Sequence, residues 1–129
     1  RFRQLKILLA EDNKINAKVT TLFFFFLGHI SKVAENGEAV MDLLDKETFD
    51  VVLMDLEMPV VSGIEATEMI RNGVNRHIPK DIPIIAMTAH SEEEIKELYP
   101  DLEVDGYLTK PLDKNKLAEL LHTLTPSPQ

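Results

Sequence analysis

The stretch VVLMDLEMP, residues 51 to 59, places Asp55 directly after four apolar residues. A run this short and this continuously apolar predicts a strand covered on both faces of its sheet, because a strand with one wet face alternates apolar and polar residues. Asp55 is therefore expected where a buried strand emerges at its carboxyl end.

The same pattern recurs along the chain, with short apolar runs alternating with amphipathic segments. It predicts five strands, at Lys6 to Ala10, Ile30 to Ala34, Val51 to Met54, Ile82 to Met87 and Gly106 to Leu108. It predicts five helices, at Lys14 to Leu27, Glu38 to Lys46, Gly63 to Asn72, Ser91 to Leu98 and Lys114 to Leu124. An alternation this regular predicts an α/β fold with a parallel sheet and helices on both of its faces.

Turn and cap residues punctuate these elements. Ser62, Ser91 and Asp113 each precede a helical run and are expected as N-caps. Asn36-Gly37 and the segment from residue 79 to 83 are expected as turns.

Composition narrows the class of protein. The 129 residues fit one domain, and the net charge of -8 argues against nucleic acid or an anionic membrane as a direct partner. There is no cysteine, so neither a disulfide framework nor a thiolate metal site is expected. The most apolar segment, Val19 to Ile30, is about half the ~20 residues that span a bilayer.

The start at Arg1 and the linker-like composition of residues 125 to 129 suggest a piece of a longer protein, with a core from about residue 5 to 124.

Polar side chains stand at the ends of four of the predicted strands: Glu11 with Asp12, then Asp55, Thr88 and Lys110. The carboxyl ends of parallel strands meet at one edge of the sheet, so these groups are expected to converge. Crowded carboxylates stay charged only beside a cation, and oxygen ligands suit Mg²⁺. An aspartate there can attack phosphorus and form an acyl phosphate, with the lysine and threonine contacting phosphoryl oxygens.

The order Glu11-Asp12, Asp55, Thr88 and Lys110-Pro111 resembles the receiver domain of two-component response regulators, over nearly the whole chain. The resemblance implies a flavodoxin-like five-stranded sheet of order 2-1-3-4-5 with five helices.

It further implies that Asp55 is the phosphoacceptor and that Mg²⁺ is bound by Glu11, Asp12, Asp55 and the backbone carbonyl of Glu57. Thr88 and Lys110 would contact the phosphoryl group. Tyr107 matches an aromatic residue that, in receivers, swings inward when the threonine moves toward the phosphate. A cis Lys110-Pro111 bond is also implied.

Residues 12 to 16 and 54 to 63 most resemble receivers of hybrid sensor histidine kinases. The implied partners are a sensor histidine kinase, a histidine phosphotransfer protein, or both. The implied location is cytoplasmic, and both a membrane anchor elsewhere in the parent chain and a weak homodimer stay open.

The first helix carries four consecutive phenylalanines, at positions 23 to 26. With Ile15 as the centre of the inward face and ~100° per residue, a further set is expected inside: Val19, Leu22, Phe23 and Phe26. Phe25 falls at the edge of this set. Phe24 is expected to point outward beside Ala17 and Thr21, as a patch that docks partner proteins.

Two other functions stay open beside the receiver. A phosphorylation-independent pseudo-receiver would bind partners only, although such domains typically lose one of the acidic pair, the acceptor or the lysine. A Mg²⁺-dependent aspartyl phosphatase normally carries its nucleophile on the first strand and an acidic pair late in the chain, the reverse of the order here.

His29 and His90 have no partner at ligand spacing and are expected not to bind metal. Residues 99 to 105 replace the small Ala-Gly step that many receivers carry, so the fourth helix is expected to end early or to be irregular.

Overall fold

A computed structural model describes residues 3–125 and shows five parallel strands in the order β2-β1-β3-β4-β5. The strands are β1 (Lys6–Ala10), β2 (Ile30–Ala34), β3 (Val51–Asp55), β4 (Ile84–Thr88) and β5 (Gly106–Thr109). The helices are α1 (Lys14–Phe26), α2 (Gly37–Lys46), α3 (Gly63–Asn72), α4 (Glu92–Leu98) and α5 (Lys114–Leu124). The predicted flavodoxin-like α/β fold is confirmed. Residues 126–129, most of the predicted tail, lie outside the described part of the chain.

The sheet is covered on both faces, as the apolar runs predict. Alternate side chains of β3 point to opposite faces, so Val52 and Met54 pack into one core cluster and Val51 and Leu53 into the other. The first cluster is closed by α2, α3 and α4, and the second by α1 and α5. All five residues of β3 and of β4 are buried, which fixes the position of each strand end.

The helix caps follow the sequence with one exception. The side chains of Ser62, Ser91 and Asp113 accept backbone N–H bonds in the first turns of α3, α4 and α5, as predicted. Asn36 was expected in a turn and instead caps α2, because its side chain accepts the backbone N–H of Ala39 at 2.8 Å. The second helix therefore begins at residue 37.

One largely buried guanidinium joins α3 to the segments that flank β4 and β5. The side chain of Arg71 is 10% exposed and donates to the carbonyl oxygens of Lys80 (2.6 Å), Ile82 (2.8 Å) and Glu103 (2.8 Å) and to Oδ2 of Asp105 (2.9 Å). The same Asp105 oxygen accepts the backbone N–H of residue 84, where β4 begins. Arg71 thus fixes both the entry to β4 and the chain that leads into β5.

The fourth helix is short, as expected from the residues that follow it. It ends at Leu98 after seven residues, and Ile95 is its one buried side chain. Leu102 and Val104, in the irregular segment before β5, pack half-buried against the core and continue the cover that α4 leaves incomplete. No helix among the described residues is long and apolar enough to cross a lipid bilayer.

Candidate functional site

The predicted site residues converge at the carboxyl edge of the sheet. Asp55 is the last residue of β3 and is 2% exposed, and Thr88 is the last residue of β4 and is 1% exposed. Glu11 directly follows β1 and is 3% exposed, whereas Asp12 is exposed. Lys110 directly follows β5. Register and burial of the parallel strands thus place the five side chains at one edge.

Three carboxylates form an oxygen cluster at this edge. One carboxylate oxygen from each of Glu11, Asp12 and Asp55 lies within 4.8 Å of the other two. Backbone N–H groups orient two of them: Asn13 donates to Oε2 of Glu11 (3.1 Å) and Glu57 donates to Oδ1 of Asp55 (3.0 Å). A cluster of oxygens with one member open to solvent suits a hard divalent cation that keeps part of its water shell, as Mg²⁺ does.

Burial and charge crowding show in the pKa of Glu11. Burial raises this pKa, and the neighbouring carboxylate of Asp55 raises it further, against the lowering effect of the Asn13 hydrogen bond. A raised pKa means that the ionised form is costly in the folded protein, so a bound cation would relieve the cluster.

Lys110 reaches back to the cluster from β5. Its Nζ lies 2.9 Å from Oδ2 of Asp55 and 3.3 Å from Oε1 of Glu11. Burial alone would lower the pKa of Lys110, but the hydrogen bond and charge of Asp55 raise it above its ordinary value, so the ammonium stays protonated. The Lys110-Pro111 bond is cis, as the resemblance implies.

Two further predicted residues, Thr88 and Tyr107, lie on β4 and β5. Oγ1 of Thr88 accepts the backbone N–H of His90 at 3.0 Å. Tyr107 is half-buried on β5, its pKa is raised by burial, and the Lys96 ammonium of α4 lies 5.8 Å from its ring centroid.

The two histidines contact other groups. Among residues 3–125, the group of side chains able to hold a metal ion consists of carboxylates only. His90 lies with Nε2 3.9 Å from Glu57 Oε1 and with Nδ1 3.6 Å from Glu94 Oε2. Nδ1 of His29 accepts the backbone N–H of Leu5 at 3.0 Å, at the opposite edge of the sheet.

Sequence reasoning missed the role of Gly63. A Cβ atom at this position would lie 1.9 Å from the carbonyl oxygen of Asp55, so only glycine lets α3 start against the end of β3. The one signal in the sequence is the glycine directly after the Ser62 cap.

The predicted orientation of α1 is wrong. Phe24 is fully buried and Ala17 is 8% exposed, so neither belongs to a docking patch, and Thr21 is only half-buried. Of the set expected inside, Phe23 is half-buried and the others are exposed. The exposed members, with their exposed fractions, are Ile15 (75%), Val19 (45%), Leu22 (47%) and Phe26 (71%).

The reason for this error is physical. The apolar set around Ile15 forms one face of the helix, but the sheet packs against a different face, whose small residues allow close approach. That face carries Ala17 and Thr20 together with Phe24.

Fold and site together define a class: a flavodoxin-like domain with an acidic cluster, a threonine and a lysine at the carboxyl edge of its sheet. The model of the response regulator receiver domain matches residues 7–122, and the chain belongs to this family.

Similar curated proteins include a hybrid histidine kinase and a sensor protein. Hybrid signal transduction histidine kinase I of Dictyostelium discoideum is 36% identical over 123 residues, 92% of this chain and 7% of that protein. Sensor protein GacS of Pseudomonas syringae pv. syringae is 33% identical over 119 residues, 92% of this chain and 13% of that protein. The chain thus spans only a small part of the length of these relatives.

Solved structures of receiver domains have the same fold. The receiver domain of sensor histidine kinase PA1611 from Pseudomonas aeruginosa, with a magnesium ion in its active site cleft, has a TM-score of 0.85 and 30% identity, covering 97% of this chain and 100% of that chain. A co-crystal structure of the Saccharomyces cerevisiae phosphotransfer protein Ypd1 with the receiver domain of Ssk1 matches with a TM-score of 0.84 and 28% identity, covering 97% of this chain and 91% of that chain.

Proposed function

We propose that this chain is the phosphoacceptor receiver of a two-component phosphorelay and that Asp55 carries the phosphoryl group. The observation that carries the proposal is the convergence of two further carboxylates and the Lys110 ammonium on the buried Asp55 side chain. The proposed domain has its core at residues 5 to 124 and works in the cytoplasm.

The reaction that we propose uses this geometry. An Oδ atom of Asp55 attacks the phosphorus of a phosphohistidine, the new O–P bond forms as the P–N bond breaks, and the electron pair of that bond stays on the imidazole nitrogen of the donor. Glu11, Asp12, Asp55 and the backbone carbonyl of Glu57 would hold Mg²⁺, which supplies charge neutralisation at the phosphoryl oxygens.

Lys110 and Thr88 complete the site. The Lys110 ammonium transfers its 2.9 Å contact from Asp55 Oδ2 to a phosphoryl oxygen, and the Thr88 hydroxyl donates to another. Because phosphoryl transfer needs mainly positioning and charge stabilisation, this set of groups is sufficient. The displacement of Thr88 and Lys110 would reach Tyr107 through β4 and β5, which makes Tyr107 the proposed switch residue.

The donors and acceptors that we propose are a sensor histidine kinase and a histidine phosphotransfer protein. The similarity to hybrid kinases supports the first, and the structure of Ypd1 with the Ssk1 receiver supports the second. In such a relay the chain passes its phosphoryl group on or hydrolyses it slowly.

The test is the intact mass of the protein after incubation with Mg²⁺ and acetyl phosphate. Wild type and the control Asp42→Asn, an exposed carboxylate of α2, should gain one phosphoryl group that is lost at alkaline pH. Asp55→Asn should gain none, and EDTA should prevent labelling. Absence of any adduct, together with failure to bind beryllofluoride, would support the pseudo-receiver instead.

A further inference from the structure

A cleft lies between α1 and the loop that follows β5. One wall is a single stripe of α1, at positions i, i+3, i+4 and i+7 of the helix: Asn16, Val19, Thr20 and Phe23. Pro111 and Leu112 form the facing wall. The floor consists of Glu11 and Met87, which are 3% and 1% exposed. The cleft has a volume of about 270 Å³, so it is a pocket with a buried floor and not a flat surface.

The Thr20 hydroxyl in this wall is available to a ligand. Thr20 is 4% exposed, and among residues 3–125 its hydroxyl makes no hydrogen bond. In that same range every fully enclosed side-chain nitrogen or oxygen has a partner. The Thr20 hydroxyl is therefore not enclosed and must open into the cleft that Thr20 lines. The hydroxyl of Thr21 differs, because it donates to the carbonyl oxygen of Lys18 at 3.0 Å. A largely buried hydroxyl without a partner favours a ligand that brings a hydrogen-bonding group of its own.

The rest of the lining favours a neutral aromatic molecule. Five apolar residues contribute to it: Val19, Phe23, Met87, Pro111 and Leu112. Lys110 and Glu11 also line the cleft, but Nζ of Lys110 lies 3.3 Å from Oε1 of Glu11, so their charges offset each other. An anion would lie beside Glu11 and a cation beside Lys110, so a ligand of either charge is disfavoured. A cavity of about 150 Å³ suffices to hold benzene, so this cleft has room for two fused rings.

We propose that this cleft is a binding site for a small neutral molecule with a two-ring aromatic body and one N–H or O–H group. The rings lie between Phe23 and Leu112 above Met87, and the N–H or O–H group bonds the Thr20 hydroxyl. Binding at this site does not depend on the function proposed above.

Occupancy of the cleft should slow phosphorylation, and this part of the inference rests on the proposed function. In that function the Lys110 ammonium leaves Oδ2 of Asp55, 2.9 Å away, for a phosphoryl oxygen. Pro111 and Leu112 directly follow Lys110, and both line the cleft. A ring held between these two residues and α1 would brace the loop and keep Lys110 at its unphosphorylated position.

The test uses indole as the probe of this ligand class, with affinities measured from amide chemical shifts during titration. Wild type should bind indole with a Kd on the order of 1 mM or tighter, as expected for a ligand of about nine non-hydrogen atoms. N-methylindole, which lacks the N–H group, should bind at least about threefold more weakly. The shifts should map to α1 and to residues 111 to 112.

Two pairs of variants make the test specific. Thr20→Val removes the hydroxyl at nearly constant volume and should equalise the affinities for indole and N-methylindole. Its control Thr21→Val removes a hydroxyl that bonds the backbone of α1, and should keep the difference. Val19→Phe should narrow the cleft and weaken indole binding several-fold, whereas Val33→Phe, at a position of similar exposure on β2, should leave it unchanged. Far-UV circular dichroism checks the fold of every variant.

Labelling by acetyl phosphate tests the effect on phosphorylation. Indole at about ten times its Kd should slow labelling of wild type at least about twofold and should leave labelling of Val19→Phe unaffected. Failure of wild type to be labelled without indole would remove the proposed function and keep the binding site. Binding of indole with an unchanged labelling rate would overturn the effect on phosphorylation. Equal affinity of wild type for indole and N-methylindole, an unchanged difference in Thr20→Val, or shifts confined to other elements would overturn the binding site.

Discussion

The acidic cluster should make the metal-free domain less stable than a variant that lacks one of its charges. Asp12→Asn removes the repulsion between Asp12 and two neighbouring carboxylates, all within 4.8 Å of one another. At that separation two unit charges repel by about 3.5 kcal/mol at an effective dielectric constant of 20, and by about 0.9 kcal/mol in bulk water. Because Asp12 is exposed, the lower figure applies to each pair, and Lys110 offsets part of it. We expect a net gain of about 1 kcal/mol, or a Tm rise of roughly 3 to 5 °C.

Bound metal should reverse this order of stability, so that wild type becomes more stable than Asp12→Asn. A cation present at 100 times its Kd stabilises the folded state by about 2.7 kcal/mol, and wild type should gain this whereas Asp12→Asn gains little. The assay is thermal unfolding followed by circular dichroism in excess EDTA and in excess MgCl₂. Asp42→Asn, an exposed carboxylate away from the cluster, should change the free energy of unfolding by less than about 0.5 kcal/mol in both buffers. The reasoning is refuted if Asp12→Asn is no more stable than wild type in EDTA, or if Mg²⁺ stabilises both proteins equally.

Three further changes test other parts of the fold. Arg71→Ala should lower the free energy of unfolding by about 3 kcal/mol in urea titrations, because it leaves three carbonyl groups and a carboxylate without their donor. A loss under about 0.5 kcal/mol would contradict the role of Arg71 in joining α3 to the segments before β4 and β5. Gly63→Ala should cost more than about 2 kcal/mol and slow acetyl phosphate labelling, because its Cβ would lie 1.9 Å from a backbone oxygen of the site; unchanged stability and labelling would show that this contact relaxes freely. Burial lowers the pKa of His29 below 6.5, so its neutral form contributes stability that is complete above the ordinary pKa and is lost as pH falls through the lowered one. Between about pH 7.5 and 5.5 wild type should lose more stability than His29→Asn, and parallel losses would count against this assignment.

The sequence was sufficient for the strands and for the convergence of polar side chains at one edge of the sheet, because both depend on where buried strands end; the strand order came from the resemblance to receivers. The run before Asp55 is apolar at every position. This pattern alone predicts the strand, its burial on both faces and the polar residue at its end. In the helix from Lys14 to Phe26, by contrast, the larger apolar set is exposed, and the buried face carries Ala17, Thr20 and Phe24. Its inward face is decided by packing against the sheet, which no periodicity reports.

Two further features are outside what local sequence rules can predict. Arg71 donates to groups between nine and 34 residues away, and nothing near it in the chain identifies them. Val60 has a φ of 68°, in the left-handed region that β-branched residues rarely adopt. Sequence rules place glycine or asparagine at such a position. The strained conformation of Val60, in the loop after Asp55, could therefore not be predicted from its neighbours in the sequence.

The position of Lys110 suggests how one added charge could change the surface of the domain. In the unphosphorylated protein its ammonium connects β3 to β5 through the 2.9 Å contact with Asp55. A phosphoryl group on Asp55 would present its own oxygens to the Lys110 ammonium, and these would lie farther from the end of β3 than the carboxylate oxygen does. The ammonium must then move with the phosphoryl oxygens or lose its hydrogen-bond partner. Tyr107 precedes Lys110 by three residues, and its ring already contacts the Lys96 ammonium of α4. Since α4 is held by one buried side chain, a small displacement of β5 meets little resistance there, and this end of the sheet is where we expect phosphorylation to be read.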